Sequence, residues 1–419
     1  MSSPQVIIIG GGVAGLSCAR HLHKHAISSL VLESSEAVGG RIRTDCVDGF
    51  SLDRGFQILL TAYPEARKLL DLEALQLKNY EPGALIRYQG EWHPFVDPVR
   101  RPGKILSTLS SPIATFGDKL RLARLKFKAC RGAIHDIYSR PETSTLQRLE
   151  SEGFSAGFID RFFRPFLGGV FLESDLKTST RKFDLVFRMF SSGDAAVPAG
   201  GMEAIPRQLA AGLPSETIRV NAPVKRVDEV TNTVELVSGE VISASRVVMA
   251  CAERVVNDLL DLHTKPKKSH GVTCFYFSSD APPVDQPMLI LNGDGRGPIN
   301  NMCVPSLVDP ECAPDGKSLI SISCLGGTND EREEGFRQEV LSQARDWFGA
   351  SVGQWNHLKT YSIPDALPST NPTYFSNGPA ANTRCKGIFL CGDQLETASL
   401  EGAMLSGRLT AQRIIDSFG

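Results

Sequence analysis

No uninterrupted apolar run in the 419 residues reaches the 18 or so needed to cross a bilayer, so no membrane span is expected. The ten cysteines are scattered without CxxC pairs, which excludes the common zinc motifs and a tight disulfide framework and points to a reducing compartment. No HExxH occurs among the eight histidines. His21, His23 and His25 fall on one expected helix without further ligands and read as its solvated surface, so no metal site is expected. Charge of one sign is missing too: 45 Lys and Arg against 47 Asp and Glu leave −2, which gives no argument for a nucleic-acid partner. The N-terminus shows no basic segment of a signal peptide. The expected location is therefore intracellular, in the cytoplasm or in an organelle such as a plastid after removal of a transit peptide. With 42% hydrophobic residues the chain can build two or three domains.

What is there is concentrated at the two ends. Residues 6–9, VIII, form a short β-branched run of the kind buried on both faces in a parallel sheet. Gly10, Gly11, Gly12, Val13, Ala14 and Gly15 follow in the spacing GxGxxG, and helical character continues to residue 25. Gly10 allows the tight turn, Gly12 lets the backbone approach a pyrophosphate, and Gly15 lets the helix pack on the strand. The phosphates would lie at the helix N-terminus, where amides and dipole favour anions. Residues 30–32 read as the next strand, and Glu33 ends it at roughly the 20-residue offset of a ribose-binding acid, which disfavours the 2′-phosphate of NADP. A lone GxGxxG is weak, but here strand, turn, helix and acid agree.

Gly39, Gly40, Arg41, Ile42, Arg43 and Thr44 add a second glycine pair with fixed positive charge, which suits a larger dinucleotide. At this point the chain resembles the flavin-containing amine oxidase superfamily, which includes monoamine and polyamine oxidases, protoporphyrinogen oxidase and the phytoene-desaturase group. The resemblance implies FAD as cofactor. It also implies an α/β architecture with a Rossmann-like (GR2-type) FAD-binding domain, formed by 1–80, 195–265 and 380–419. A discontinuous α+β substrate domain would comprise 81–194 and 266–379.

Between these ends the signals are weaker. Gly55 interrupts a strand-like run over 50–60; the resemblance places Gly55, Phe56 and Gln57 against the flavin ring, and a plain bulge is the alternative. Runs at 85–88 and 91–95 around Gly90 read as a hairpin. A helix is expected over 117–138, with Leu120, Ala123, Phe127, Cys130, Ile134 and Ile137 on one face and a basic opposite face. Such a helix packs on a core or lies on a membrane surface, so peripheral membrane contact through 117–138 is one expectation. Arg161 and Arg164 among phenylalanines read as line-a-pocket or snorkelling residues, the second being commoner. After residue 195 come a PxGGM-like element at 198–202, strands over 217–224, 225–230 and 233–237 with a Ser238-Gly239 turn, a buried strand at 247–251 and a helix at 253–262. By resemblance the Val224 backbone meets the adenine edge. Strands at 271–279, 287–291, 301–305 and 319–325 and a helix at 330–348 would complete an antiparallel sheet with helices. The turn at 297–301 either reaches the cavity or is a simple tight turn.

Residues 387–391 form a buried strand followed by Gly392 and Asp393, and Leu400, Glu401, Gly402 and Ala403 open a helix to residue 415. This run is similar to the closing FAD motif of the phytoene-desaturase group. Asp393 would bond the ribityl or pyrophosphate region, and the Gly402 and Ala403 amides would meet the flavin O2 edge.

In the family a hydride passes from carbon to flavin N5, and oxygen or a quinone takes the electrons. Three departures bear on substrate. The position best matching the amine-oxidase lysine is Thr273; the aromatic before the closing EGA is replaced by Ser399 or Leu400; and 366–371 hold no cysteine for a flavin thioether. The expectation is a non-covalent FAD oxidoreductase acting on a largely apolar small molecule, like the desaturases and protoporphyrinogen oxidase, with no catalytic residue nameable. A flavin amine oxidase yielding imine and peroxide is the first alternative, and a non-catalytic flavin-binding protein the second. A plain NAD dehydrogenase is disfavoured by the second glycine pair and the closing helix.

Overall fold

The structure is a computed structural model that describes residues 4–97, 100–101, 110–265, 268–370, 383–385 and 387–418. Val6–Ile9, fully buried, lies inside a six-stranded sheet ordered Ile218–Arg219, Ser29–Leu32, Val6–Ile9, Arg246–Met249, Ile388–Leu390, Thr383–Cys385. The first five are parallel and the last is antiparallel. Parallel strands need crossovers, and the helices Val13–Lys24 and Leu400–Asp416 cover this sheet and pack on each other. Gly407 sets their approach, since a Cβ there would lie 2.5 Å from the Ala14 carbonyl oxygen.

The strand expected over 217–224 is split. Ile218–Arg219 extends the parallel sheet, Asn221 turns the chain at φ +51°, and Val224–Asp228 starts a separate antiparallel sheet with Thr233–Leu236 and Val241–Ser243. A short side chain able to take the left-handed conformation makes this break cheap.

A second sheet has seven strands in the order Asn356–Pro368, Ser269–Ser279, Ser318–Leu325, Ile299–Cys303, Leu289–Asn292, Gly83–Tyr88, Glu91–Val96. It is antiparallel except that Leu289–Asn292 runs parallel to Gly83–Tyr88, a departure from the all-antiparallel expectation. The 13-residue strand Asn356–Pro368 carries Pro364 and Pro368 and escapes sequence reading. It is tolerated because it is an edge strand, where a missing N–H costs no ladder bond. One face of this sheet packs on Asp330–Phe348 through Phe275, Phe277, Val340 and Trp355.

A helical layer completes the fold. Phe154, Phe158, Phe162, Phe163 and Phe183 pack as one aromatic cluster, with Phe158 and Phe162 stacked at 5.3 Å across the π-helical turn Ile159–Phe163. The helix expected over 117–138 is shorter. It runs Phe116–Ala129, capped by reciprocal bonds between Thr115 and Asp118, and Gly132 at φ +78° separates it from the 3-10 turn Ile134–Ser139. Its facing also differs from the sequence reading. Leu125 and Ala129 are buried, whereas Phe116, Leu120 and Phe127 are 69%, 58% and 62% exposed. The helix has two apolar stripes, and the core takes the narrower one.

Candidate active site

A cavity of about 1410 Å³ opens where the carboxyl ends of the parallel strands face the second sheet. Its first wall is backbone. Gly10, at φ +113°, turns the chain out of Val6–Ile9; a Cβ there would lie 2.5 Å from the Ala250 carbonyl oxygen. A Cβ on Gly15 would lie 2.1 Å from the Gly10 carbonyl oxygen, so this glycine fixes strand-to-helix packing. Gly12, the N-cap of Val13–Lys24, has no protein atom within 4 Å of its would-be Cβ and no side-chain cap, so the helix N-terminus faces open space. Buried Glu33 accepts from Gly11 N–H at 2.8 Å and from Ser35 N–H at 2.9 Å, which fixes its carboxylate at the strand end.

Arg41 reaches across the cavity to pair with Asp393 and donates to the Ala366 carbonyl at 3.0 Å. Asp393 is buried, so this pair joins the first and last motifs of the chain. Gly55 takes φ +89° in the break between Phe50–Asp53 and Leu59–Leu60, close to Ile363. Gln57 Nε2 donates to the Arg41 carbonyl at 2.9 Å.

Of the residues singled out in sequence, Gly10, Gly12, Val13, Ala14, Glu33, Gly39, Gly40, Arg41, Gly55, Phe56, Gln57, Val224, Gly392, Asp393, Leu400 and Ala403 line this one cavity. Gly11, Gly15 and Gly402 do not, and support it from behind. The Gly402 N–H is held by Ser399 Oγ at 3.0 Å and the Ala403 N–H by the Ser399 carbonyl at 2.9 Å. Neither amide is open to a ligand, contrary to the sequence expectation, because Ser399 caps the helix itself. An open glycine-capped helix N-terminus, a fixed ribose-range acid and a spanning arginine are together suited to a dinucleotide.

The second wall is built of side chains. Phe162, Phe166, Val170, Phe187 and Phe190 enter from the helical layer, and Val272, Leu325, Tyr361 and Ile363 from the seven-stranded sheet. Thr273 points away from the cavity, with Oγ1 donating to the Gly326 carbonyl at 2.9 Å, and its neighbour Val272 is the strand residue that faces inward. Arg161 stacks on Tyr88 at 4.4 Å and Arg164 pairs with Asp160 at 3.0 Å, so both lie on packing surfaces outside the cavity. Of the 297–301 turn, Asn301 reaches the cavity, while Gly297 abuts Gln343.

Sequence reasoning missed two contributors. The strand Asn356–Pro368 supplies Lys359, Tyr361 and Ile363, and its Lys359 and Tyr361 bond Asp45 at 2.8 and 2.7 Å. Lys182, on the helix Thr180–Ser192, is 2% exposed yet lines the cavity. A lysine directly before the largely apolar run FDLVF was the available signal.

The family described as flavin containing amine oxidoreductase matches this chain over residues 13–415. A 15-cis-phytoene desaturase from an Oncidium hybrid cultivar is 22% identical over 99% of this chain and 78% of its own length. A coproporphyrinogen III oxidase from Mycobacterium leprae is 28% identical over 180 residues, which are 42% of this chain and 39% of that protein. Polyamine oxidase 2 from Arabidopsis thaliana is 49% identical over 53 residues, 13% of this chain and 11% of that protein. The chain thus spans well under half of the length of the last two relatives. In fold, it is similar to an oxidoreductase from Methanosarcina mazei (TM-score 0.76, 16% identity, 98% and 99% of the two chains). Cyclohexylamine oxidase from Brevibacterium oxydans also aligns (TM-score 0.72, 16% identity, 99% of each chain). On the family match over nearly its whole length, the chain belongs to the flavin-containing amine oxidoreductases.

Proposed function

We propose that this enzyme removes a hydride from a C–H bond of a largely apolar small molecule, as a desaturase, dehydrogenase or oxidase, with oxygen or a quinone as final acceptor. The carrying observation is the second wall, where Phe162, Phe166, Val170, Val186, Phe187 and Phe190 of the helical layer face the cavity. Bound FAD supplies the hydride acceptor. The chain's own residues hold and shield it. The helix N-terminus after Gly12 takes the pyrophosphate, Glu33 the ribose, Val224 the adenine edge, and Gly55, Phe56 and Gln57 border the flavin ring. Arg41 adds fixed charge for the phosphates, and Asp393 accepts from the ribityl chain. With Ala366 and its described neighbours offering no thiol, the cofactor is held without a covalent bond. Residues 1–80, 195–265 and 380–419 form the cofactor domain in this reading, and 81–194 and 266–379 the substrate domain.

Amine oxidation fits less well. Neither Val272 nor Thr273 can hold water at the flavin as the amine-oxidase lysine does, since Val272 is apolar and Thr273 points away from the cavity. No helix among the described residues is long and apolar enough to cross a membrane. The outward stripe of Phe116, Leu120 and Phe127, on the helix that brings Lys119 and Lys126 to the cavity, instead supports peripheral contact with an anionic bilayer. The nine cysteines whose side chains are described are free, in keeping with a reducing compartment.

The reaction is tested by anaerobic mixing of the FAD-loaded enzyme with two substrate panels. Bleaching of the flavin by hydroaromatic or polyene compounds and not by amines is expected. Bleaching by putrescine or cyclohexylamine, with stoichiometric peroxide in air, would replace this reading with amine oxidation.

A further inference from the structure

We propose that Lys182 anchors an acidic group, so that the substrate cavity takes an apolar molecule bearing one carboxylate. This rests on the reading of the second wall as the substrate site.

Lys182 is placed by Thr180–Ser192, whose N-terminus is capped by Ser179, and its Nζ lies 5.2 Å from the centre of the Phe171 ring. That aromatic face is its one close partner among the described residues. The charged groups around it are committed elsewhere. On its own helix, Arg181 pairs with Glu142 at 2.8 Å and Asp184 with Arg140 at 2.6 Å. Glu173, before the helix, accepts from both the Thr178 N–H and hydroxyl at 2.9 Å. Asp393, across the cavity, is paired with Arg41. His270, on Ser269–Ser279, carries the remaining nearby ring, and burial pushes its charged form down. Asp393 and Glu173 act on Lys182 only through space.

A buried cation without a contacting carboxylate costs free energy unless it gives up its proton or gains an anion. Burial pushes Lys182 down to about 7, with Asp393 and Glu173 opposing. In an apolar cavity such a group is a poor structural choice and a selective binding one. A ligand carboxylate restores the ammonium and is held by a charge-assisted hydrogen bond, while hydrocarbon fills the phenylalanine wall. No bond is made or broken; one proton is taken up from solvent when the complex forms above the neutral range.

The test uses the FAD-loaded enzyme with decanoate and decanol as probes, followed by the flavin absorbance change and by calorimetry in two buffers of different ionisation heat. Above neutrality, decanoate affinity should fall about tenfold per pH unit with uptake of about one proton, while decanol binds independently of pH. Lys182→Met, an unbranched apolar replacement, should flatten the decanoate profile and leave decanol binding intact; His270→Asn should keep the slope. A slope that survives Lys182→Met, or is lost in His270→Asn, overturns the assignment. So does a Lys182→Met enzyme that folds but no longer retains FAD, since Lys182 would then serve the cofactor. Decanol binding without decanoate binding removes the acid anchor alone, whereas failure of both probes removes the apolar-substrate reading as well.

Discussion

The two walls of the cavity are made of different material. The wall on the parallel sheet is backbone: glycines with no room for a Cβ, amides at a helix start, and charged side chains fixed by short bonds. The wall on the seven-stranded sheet and helical layer is side chain, chiefly phenylalanine. A backbone wall recognises one rigid, shared ligand and tolerates almost no change. A side-chain wall fills volume and can be recut for another substrate without touching the cofactor. The difference explains how relatives named for porphyrinogen oxidation, polyamine oxidation and phytoene desaturation share one family.

Substitutions on the two walls should therefore fail in different ways. The largest effect is expected for Gly15→Val, whose side chain would meet the Gly10 carbonyl. Destabilisation beyond about 4 kcal/mol is expected, with little folded protein and no bound FAD, read by thermal melting and flavin content. Phe163→Ala, at a fully buried position of the aromatic cluster, should cost about 3–5 kcal/mol while the folded fraction keeps one FAD per chain. Loss of FAD from folded Phe163→Ala protein would show that the two walls are not separable.

Gly12→Ala sharpens the comparison from the other side. Its φ of −73° suits alanine and its Cβ meets no protein atom, so the melting temperature of the apo chain should hardly move. The methyl would occupy the space of the pyrophosphate, and FAD affinity should fall at least tenfold, or about 1.4 kcal/mol. An unchanged affinity would remove the phosphates from this helix terminus.

The smallest effect concerns the seam between the walls. Asp45 is opposed by burial, yet hydrogen bonds from Arg54, Lys359 and Tyr361 hold its carboxyl well below the usual carboxylate range. A depressed folded value means that this stabilisation is complete above the unfolded value near 3.9 and disappears as pH falls through the folded one. Because Arg54 and Lys359 are over a third exposed, Asp45→Asn should cost only about 1 kcal/mol at neutral pH. Denaturant melts should show that deficit shrinking below pH 4. A deficit that stays constant to pH 2 would locate the effect in packing.

The same contrast governs what could be read from the sequence. A backbone wall needs glycines at fixed offsets, so Gly10, Gly12 and Gly15, Gly39 and Gly40, and Gly392 with Asp393 were legible as short strings. The acid at Glu33 was legible because a strand has to end before it. A side-chain wall draws single residues from distant elements. Phe162 and Phe190 look like any core phenylalanine, and Lys182 like any helix lysine, until the fold turns them inward. The edge strand Asn356–Pro368 was hidden by two prolines that disfavour strands in general and matter little at an edge. On Phe116–Ala129 the apolar residues were found, but two stripes compete and only packing decides which is buried.

The most direct test of the account is the visible spectrum of the purified chain, recorded before denaturation and again on the filtrate after it. One FAD per chain, released completely into the filtrate, is the expected result. Flavin that stays with the polypeptide would contradict the non-covalent site, and a colourless chain that takes up no added FAD would contradict the site altogether.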